Sequence, residues 1–471
     1  MQKQRSNVNL VDMDRRSIFH PATSIAAHLQ QGPLIASQAH GIWLKDQLGR
    51  ELMDFGAGLW CVNVGYGREE LAEAAAAAIR DLSYYTLFFS NSNEPAIRLA
   101  DRILTQFHEH AAAPHLSKVF FGNSGSDAND TNFKLVRYYN NLRKLPRKKK
   151  IISRWAAYHG STFASGSLTG IPGYHKAFDL PLADVIHAAC PNYFRFAEHG
   201  QTEEAFVTGL IAEIKGIIAR EGADTIAAFI AEPIMGTGGV ILPPRGYFDQ
   251  IQSILDENDI LLIVDEVITG LGRTGTHYGT GLYGLKPDIV TLAKGLTSAY
   301  FPLSASVISE RMWNTLRDTS ADIGPFMHGF TYSGHPVGAA VAMANMDIIE
   351  REALVENASR MGTLLIEQLR QKLADHPYVG EIRGAGLMVG IEFVADRSNR
   401  RFFKAGTYPH RLVQQQAGER CLLIRALPFG DVTSISPPLS ITEAEVAEGV
   451  ERYVAAVHAA TPAMHELAQA Q

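Results

Sequence analysis

Residues 287–296 read Pro287-Asp288-Ile289-Val290-Thr291-Leu292-Ala293-Lys294-Gly295-Leu296, and this stretch decides the fold class. The aliphatic run from Ile289 to Leu292 is bounded by a proline and a glycine, which favours a buried strand of a parallel sheet over a helix. Lys294 follows the carboxyl end of that strand, where open α/β sheets bind ligands. A lone lysine at such a place is better explained as a solvated, snorkelling side chain.

A second strand favours a functional role for Lys294 over a solvated surface lysine. The apolar run from Ile260 to Val264 delivers Asp265 in the same way that the later strand delivers Lys294. Because the carboxyl ends of parallel strands lie at one edge of a sheet, the pair indicates a site rather than two unrelated surface charges.

The composition predicts a large globular protein. Of 471 residues, 46% are hydrophobic and 20% charged, which is enough for a sizeable core and more than one domain. The net charge of −6 gives no general affinity for polyanions, so no nucleic-acid partner is expected. No apolar run approaches the length of a membrane span, so no membrane partner is expected either.

Cysteine usage predicts a reducing compartment. Cys61, Cys190 and Cys421 are odd in number and far apart, which argues against a disulfide framework or a zinc site, and no metal ligand is assigned. The start, Met1 to Arg16, lacks the apolar core of a signal peptide and is a poor transit peptide. We therefore expect a cytoplasmic protein.

The order of strand and helix patterns predicts two domains. Alternation between about Val119 and Leu292 indicates one mostly parallel, doubly wound sheet. A hairpin pattern precedes it, and an α+β pattern follows the long helix that begins at Pro336. The hairpin is expected to join this later part. The predicted divisions are residues 1–80 for the first part of the small domain, 81–335 for the large domain, and 336–471 for the interdomain helix and the rest of the small domain.

Five predicted strand ends carry groups that suit one ligand. A strand, a Gly–Ser turn and a helix start can hold a phosphate, because free N–H groups and the positive helix end point at the anion. Ser126 or Asp127 could equally be a helix cap, and an aromatic ring at a strand end could simply pack. The strand-end groups are Ser124-Gly125-Ser126, Tyr158 with His159, Glu232, Asp265 and Lys294.

Together these groups describe a site for pyridoxal phosphate, a flat, phosphorylated heterocycle that forms an imine with lysine. Its aldehyde would condense with Lys294, and Asp265 would pair with the ring nitrogen and keep it protonated. Lys294 released from the imine could carry a proton between the substrate carbon and the cofactor. The expected remaining contacts are Tyr158 and Val267 on the two ring faces and Gly125 with Ser126 at the phosphate.

Six motifs in order make the sequence resemble the class III aminotransferases of the pyridoxal-phosphate fold-type I superfamily, over almost its whole length. The resemblance implies an α/β fold whose large domain, with a mostly parallel seven-stranded sheet, stands beside a smaller α+β domain. It also assigns His159 and Glu232 to the cofactor site. The motifs are Gly122-Asn-Ser-Gly-Ser-Asp-Ala128, Tyr158-His-Gly-Ser-Thr162, Glu232-Pro-Ile234, Val264-Asp-Glu-Val267 with Gly270-Leu-Gly-Arg-Thr-Gly275, Ala293-Lys-Gly-Leu296 and His328-Gly-Phe-Thr-Tyr-Ser-Gly-His335.

A seventh segment narrows the resemblance. Leu59-Trp-Cys-Val-Asn-Val-Gly-Tyr-Gly-Arg68 is similar to the ω-transaminases that use amines or ω-amino acids with pyruvate, among them putrescine–pyruvate and β-alanine–pyruvate enzymes. The resemblance implies a homodimer, or a tetramer of two dimers, with active sites at the subunit interface. Thr331 would then bind the partner's cofactor phosphate, and Phe88 and Phe89 would line the partner's pocket.

Arg425 is assigned by the resemblance to a mobile arginine that binds a substrate carboxylate and swings away for an uncharged amine. A guanidinium suits this role because it grips a carboxylate with two parallel hydrogen bonds. The segment after it, Ala-Leu-Pro-Phe-Gly-Asp, is longer than the family's usual link. Asp127 and Met235 also depart from the family, which has a glutamate and a glutamine there.

The leading functional hypothesis is a transamination from an aliphatic amine, diamine or ω-amino acid to pyruvate, giving an aldehyde or ketone and alanine. The apolar wall expected of Leu59, Trp60, Phe88, Phe89 and Tyr158 favours an uncharged donor body. The alternatives are a β-alanine, taurine or 4-aminobutyrate aminotransferase and, more remotely, an aminomutase or a decarboxylating aminotransferase. A cofactor-binding protein without turnover is the alternative from another class.

Overall fold

The computed structural model describes residues 9–470. Its strands are β1 (Ala36–His40), β2 (Trp43–Asp46), β3 (Glu51–Asp54), β4 (Leu116–Gly122), β5 (Lys150–Arg154), β6 (Val185–Ala188), β7 (Ile226–Ala231), β8 (Leu261–Asp265), β9 (Ile289–Leu292), β10 (Ser304–Ser309), β11 (Val379–Ala385), β12 (Met388–Phe393), β13 (Leu422–Leu423), β14 (Arg425–Ala426) and β15 (Val432–Ile435). Its helices are α1 (Leu10–Ser17), α2 (Ile25–Gln31), α3 (Ala57–Trp60), α4 (Glu69–Leu82), α5 (Glu94–His110), α6 (Gly125–Leu142), α7 (Phe163–Leu168), α8 (Tyr193–Phe196), α9 (Glu203–Glu221), α10 (Tyr247–Glu257), α11 (Gly279–Leu282), α12 (Glu310–Thr319), α13 (Pro336–Arg351), α14 (Leu354–Lys372), α15 (Pro409–Glu419) and α16 (Glu443–Gln469).

The central sheet has seven strands in the order β4-β10-β9-β8-β7-β5-β6. Strand β10 runs antiparallel to both of its neighbours, and the other pairs are parallel. Every residue of β7, β8 and β9 is buried, as expected of strands whose two faces are both covered. The predicted mostly parallel seven-stranded sheet is confirmed.

Helices cover both faces of this sheet. On one face, Ile214 of α9 and Ile251 of α10 share a core with Phe229 of β7. On the other face, Val136 of α6 packs with the next β7 residue, Ile230. Because successive strand residues point to opposite faces, each strand contributes to both layers of the core. The carboxyl ends of β7, β8 and β9 then lie together at one edge, where the site forms.

The smaller part of the protein is built from both ends of the chain. One four-stranded sheet has the order β1-β2-β3-β13, and the other has the order β11-β12-β15-β14. Strand β13 pairs in parallel with β3, so the N-terminal hairpin joins the C-terminal part as the sequence predicts. The domain limits at residues 80 and 335 stay a prediction. None of the helices within residues 9–470 is both long and apolar enough to cross a membrane.

The mostly apolar run from Leu422 to Arg425 has the pattern of a single strand, and the prediction of one strand there is wrong. Leu422 and Leu423 pair with β3 of the first small sheet, whereas Arg425 and Ala426 pair with β15 of the second. The chain therefore changes sheets at Ile424, and this change determines the position of Arg425. A uniform apolar run carries no turn residue that would reveal such a crossing.

Candidate active site

Lys294 lies immediately beyond β9, where the chain turns sharply. Its φ of +45° is unusual for a residue with a side chain, and it begins a short 3-10 turn, Lys294–Leu296. Burial lowers the pKa of the Lys294 amine, and the nearby Asp265 carboxylate opposes this shift. A lysine with a lowered pKa is a better nucleophile and base near neutral pH than an exposed one.

The turn at Lys294 is held by the segment 58–67. A Cβ added to Gly295 would come 2.4 Å from Nδ2 of Asn63, so this position admits only glycine without rearrangement. Asn63 in turn donates to the carbonyl of Leu271 at 3.0 Å and accepts from Arg273 at 2.8 Å. The segment that carries Trp60 is thus packed directly against the residue that follows the lysine.

Asp265 ends β8 as a buried carboxylate with three hydrogen-bond partners. Its Oδ2 accepts from Nδ2 of Asn129 at 2.8 Å and lies 2.8 Å from Nδ1 of His159. Its Oδ1 accepts from the backbone N–H of Val267 at 3.1 Å. These contacts fix the orientation of the carboxylate and partly replace the water that burial removes.

Asn129 is a site residue that the sequence analysis missed. It lies one helical turn after Gly125 in α6, and the same Nδ2 also donates to the carbonyl of His159 at 2.7 Å. The hydroxyl of Thr291 donates to its Oδ1 at 2.8 Å, which orients the amide. A buried asparagine on the inner helix face, together with a threonine in an otherwise aliphatic strand, was the available signal.

Glu232 holds the loop that carries Tyr158. Its Oε1 accepts from the N–H of Tyr158 at 3.1 Å, and its Oε2 accepts from the N–H of Gly236 at 2.8 Å. Burial raises the pKa of Glu232, and His159 nearby opposes the shift. Met235, where relatives were expected to have glutamine, is buried in an apolar cluster and brings no polar side chain here.

One cavity gathers eight of the predicted site residues. They are Gly125, Ser126, Tyr158, His159, Glu232, Asp265, Val267 and Lys294, and three further lining residues that the prediction lacked are Gly160, Ile234 and Ile268. Strand ends from β5, β7, β8 and β9 and the start of α6 supply these groups, as the topological rule for open sheets requires.

The start of α6 presents free backbone donors to this cavity. Ser124 is the N-cap, and its hydroxyl accepts from the N–H of Asp127 while the Asp127 carboxylate accepts from the N–H of Ser124. This capping box leaves the N–H groups of Gly125 and Ser126 without an acceptor among residues 9–470. The Ser124 side chain is therefore engaged in capping and does not line the cavity, although the sequence assigned it to the cofactor.

Trp60 and Arg425 lie beside the cavity rather than in its lining. Trp60 is buried and packs with Ile234 and Ile268, both of which line the cavity. Arg425 is mostly buried, and burial lowers its pKa while Tyr174 and Tyr158 nearby oppose the shift. Its guanidinium has no hydrogen bond or ion pair to any of residues 9–470. Leu59, the neighbour of Trp60, is 61% exposed.

Thr331, Phe88 and Phe89 are not brought to the cavity of their own chain. Thr331 is exposed, and its carbonyl accepts from the hydroxyl of Tyr84 at 2.8 Å. Phe89 is 89% exposed, and Phe88 is half-buried against Gly329. This placement agrees with their predicted role at a partner's site and leaves that role a prediction.

The residues of the cavity fit pyridoxal phosphate. A lysine with a lowered pKa suits its aldehyde, the buried Asp265 carboxylate suits a protonated ring nitrogen, and the free N–H groups suit its phosphate. A Cβ on Gly125 would come 3.0 Å from Cγ2 of Val267, so glycine keeps open the narrow space at this end. Buried Nε2 of His159 has no hydrogen-bond partner within the described residues, which leaves it available to a bound group.

Comparison with known proteins agrees with this chemistry. A family model described as aminotransferase class-III matches residues 25–457. The diaminobutyrate–2-oxoglutarate transaminase of Halomonas elongata is 46% identical over 97% of this chain and 97% of its own. A probable mitochondrial gamma-aminobutyrate transaminase 3 of Oryza sativa subsp. indica is 42% identical over 92% of this chain and 84% of its own. The solved omega transaminase from Pseudomonas jessenii in complex with PMP has a TM-score of 0.93, with 44% identity over 97% of this chain and 99% of that one.

Proposed function

Because the chain belongs to the class-III aminotransferase family, whose members use pyridoxal phosphate, we propose that it moves an amino group from an aliphatic amine, diamine or ω-amino acid to pyruvate. The product of the first half-reaction is an aldehyde or ketone, and that of the second is alanine. The observation that carries the proposal is the position of Arg425 beside the lysine cavity, where it has no ion pair with any of residues 9–470.

Pyridoxal phosphate, when bound, supplies an aldehyde that carries the amino group and a ring that accepts electrons. Asp265 would pair with the ring nitrogen, and the N–H groups of Gly125 and Ser126 would hold the phosphate. Tyr158 and Val267 would lie on the two faces of the ring. Together these contacts would fix the ring relative to Lys294 and limit the access of water to the reacting atoms.

Lys294 would act both as the cofactor's attachment point and as the group that moves a proton. Because burial lowers the pKa of its amine, the neutral form is available nearer to neutral pH. The Asp265 carboxylate lies close enough to oppose that shift, so it moderates how readily Lys294 loses its proton. Both residues line the same cavity, which supports their assignment to one ligand.

Arg425 would bind the carboxylate of the acceptor. Within residues 9–470 the side chain makes no ion pair or hydrogen bond, so its donors remain available to a ligand. A monocarboxylate such as pyruvate needs one such cation, whereas a dicarboxylate needs two. Among the residues that line the cavity, Lys294 is the only lysine or arginine, and Arg425 lies just outside that lining. The proposal therefore rests on one arginine, which favours a monocarboxylate acceptor over 2-oxoglutarate.

A second candidate keeps the reaction and changes the substrates. The Halomonas relative is named for diaminobutyrate and 2-oxoglutarate, and the Oryza relative for gamma-aminobutyrate. Arg425 would equally suit the carboxylate of an ω-amino acid donor such as 4-aminobutyrate, β-alanine or, as a sulfonate, taurine. The two candidate functions differ in whether Arg425 binds the carboxylate of the donor, of the acceptor or of both in turn.

A matrix of donors and acceptors tests the proposal. Putrescine, β-alanine, 4-aminobutyrate, 2,4-diaminobutyrate and ornithine are each assayed with pyruvate and with 2-oxoglutarate, and kcat/KM is measured for every pair. We expect the highest values for an amine, diamine or ω-amino acid with pyruvate. Activity with ornithine or 2,4-diaminobutyrate and 2-oxoglutarate alone would overturn it. Stoichiometric alanine without carbon dioxide excludes the aminomutase and the decarboxylating enzyme.

The assembly proposed for this protein is a homodimer with shared active sites, or a tetramer of two such dimers. The exposure of Thr331 and Phe89 in the single chain supports it, because both would be covered by a partner. Light scattering of the purified protein measures the mass. Mixing a Lys294→Ala chain with a Thr331→Ala chain tests the sharing: hybrid dimers would carry one site with both changes and one with neither.

The location proposed is the cytoplasm. The three cysteines are free in the structure, which suits a reducing compartment. The Oryza relative is named mitochondrial, so fractionation of the producing cells is the test that separates the two compartments.

A further inference from the structure

Three side chains of types that can bind metals converge in the N-terminal arm, residues 10–31, away from the lysine cavity. Asp14 belongs to α1, His20 to the connecting turn and His28 to α2. Nε2 of His20 lies 3.0 Å and 3.1 Å from the two oxygens of Asp14, and Nε2 of His28 lies 3.1 Å from Oδ1. No second group of three His, Cys, Asp or Glu ligand atoms converges in this way within residues 9–470.

The competing explanation of this cluster is a hydrogen-bonded staple, in which Asp14 links the two histidines through hydrogen bonds and no metal is bound. It accounts for His20, whose Nε2 forms hydrogen bonds to Asp14. It does not account for His28, whose buried Nε2 has no aligned hydrogen-bond partner although Asp14 is 3.1 Å away. A buried ring nitrogen without a partner is costly, so the staple leaves the arm with an unmet polar group.

The donor atoms of the cluster also suit a cation. The two imidazole rings have centroids 4.3 Å apart, and one ligand nitrogen of each lies within reach of a single ion together with a carboxylate oxygen of Asp14. Two imidazole nitrogens and one carboxylate oxygen form a donor set that Zn²⁺ prefers, with a fourth position left for water.

We propose that Asp14, His20 and His28 form a three-ligand Zn²⁺ site in the N-terminal arm. Tetrahedral ligands at about 2.0–2.1 Å from zinc are about 3.4 Å from one another, so the observed spacings of 3.0 and 3.1 Å need only a small expansion. The site is independent of the transamination chemistry. The cysteine count had argued against zinc, and the spacing of these three residues matches no familiar motif, which is why the sequence did not indicate it.

Zinc bound there would stabilise a weakly anchored segment. Neither α1 nor α2 contributes a fully buried side chain, so their mutual contacts are few. The Arg15 guanidinium donates to the carbonyl of Gln30 at 3.2 Å, which is a second link between the two helices. A metal that joins Asp14 to His28 would close the same loop and hold the arm in one arrangement.

Metal titration of the holoenzyme tests the proposal. After chelation and dialysis, Zn²⁺ uptake is measured by equilibrium dialysis with elemental analysis, and Co²⁺ is used as a visible probe of tetrahedral coordination. We expect one ion per chain. The variants Asp14→Asn, His20→Gln and His28→Gln should bind more than about tenfold more weakly, since loss of even an outer partner of a ligand costs that much. The exposed His199→Gln serves as the matched control and should bind as the wild type does.

Limited proteolysis gives a structural readout in the same samples. Trypsin cleavage after Arg15 and Arg16 should slow when zinc is added to the wild type and should not respond to zinc in His28→Gln. Cleavage that is slow in the wild type with or without zinc would support the hydrogen-bonded staple and overturn the proposal. Equal zinc affinity in wild type and His28→Gln, or no uptake at about 100 µM Zn²⁺, would overturn it as well.

Discussion

The guanidinium carbon of Arg425 lies 4.9 Å from the ring centroid of Trp60. The mostly buried Arg425 guanidinium thus packs on the face of the Trp60 ring and has no anion partner among the described residues. Such a contact is worth about 0.5–2 kcal/mol, less than a two-point bond to a carboxylate. We therefore expect the arginine to leave the ring for a carboxylate ligand and to return when the ligand is an uncharged amine.

Replacing Arg425 with lysine should lower the activity towards pyruvate much more than the activity towards putrescine. We expect kcat/KM for pyruvate to fall by about tenfold to a hundredfold, because an ammonium cannot reproduce the paired guanidinium bonds, each worth ~1.5–3 kcal/mol. The value for putrescine should stay close to that of the wild type, since this donor has no carboxylate. Steady-state kinetics with each substrate varied in turn measures both constants.

Arg411→Lys is the matched control for that change. Arg411 is exposed, and its guanidinium carbon lies 4.3 Å from the ring centroid of Tyr408, so it makes the same kind of contact away from the site. It should leave both constants unchanged. An equal loss for pyruvate and putrescine in Arg425→Lys would indicate a general structural role instead of carboxylate binding.

Lys294→Ala should abolish turnover while leaving the fold intact. The side chain supplies both the nucleophile and the proton carrier, so we expect kcat to fall by about 10³-fold or more. Lys286→Ala changes an exposed lysine of the loop before β9 and should keep wild-type activity. Retention of more than about a tenth of kcat in Lys294→Ala would contradict the assignment.

Most of the large domain could be predicted from the sequence because its strands are short, buried on both faces and bounded by turn residues. The uniform apolar runs of β7, β8 and β9 leave little choice of element, and their order fixes where Asp265 and Lys294 lie. Helix boundaries are harder to predict: the residue pattern predicts a helix from Met361 to Leu373, but α14 begins at Leu354 and ends at Lys372. It follows Ala353, whose left-handed φ of +49° marks a turn that alanine does not indicate.

The parts of the site that were missed depend on long-range contacts. Asn129 is polar in a helix that needs no polar residue there, and its hydrogen bonds to residues far along the chain explain it, among them Asp265, 136 positions later. Likewise, the sheet change at Ile424 that positions Arg425 follows from two pairing partners that lie hundreds of residues apart. The local sequence pattern predicts neither the contacts of Asn129 nor the sheet change at Ile424.

Asn129 is expected to act as a positioning residue for Asp265. Asn129→Leu removes one hydrogen bond to the carboxylate and one to the carbonyl of His159, so we expect kcat to fall about tenfold with a weaker hold on the cofactor. Asn129→Asp keeps the shape of the side chain but adds a negative charge beside Asp265. We expect it to lower kcat and cofactor retention more than Asn129→Leu does. Cofactor retention on dialysis and kcat are measured together, and wild-type values of both in Asn129→Leu would contradict the role.

Gly236→Ala should disturb Trp60. A Cβ there would come 2.2 Å from Cζ3 of the Trp60 ring and 2.5 Å from Cδ1 of Ile268, so something must shift. We expect a loss of about 1–3 kcal/mol in the free energy of unfolding from overpacking. In a Trp60→Ala background, Gly236→Ala should lower the free energy of unfolding by less. Urea unfolding of the wild type, the two single variants and the double variant gives the coupling free energy between the two positions. Gly216→Ala, on the exposed face of α9 with nothing near its Cβ, is the control.

The stability of the protein should depend on pH through His187. This ring stacks on Trp155 with centroids 4.6 Å apart, and burial, followed by the neighbouring His175, lowers its pKa from 6.5 to about 4. Because the pKa in the folded protein is lower than in the unfolded chain, protons favour unfolding. The stabilisation is complete above about pH 6.5 and is lost as the pH falls towards 4.

Urea unfolding at pH 7 and pH 5 measures this effect. Protonation of His187 in the unfolded chain should remove about 2 kcal/mol from the unfolding free energy between those pH values. His187→Gln does not titrate in this range, so its own loss should be smaller than that of the wild type by about this amount. The exposed His199→Gln should lose as much as the wild type does. If His187→Gln and the wild type lose equal stability, the ring is protonated in the folded protein and its burial does not shift its pKa as described.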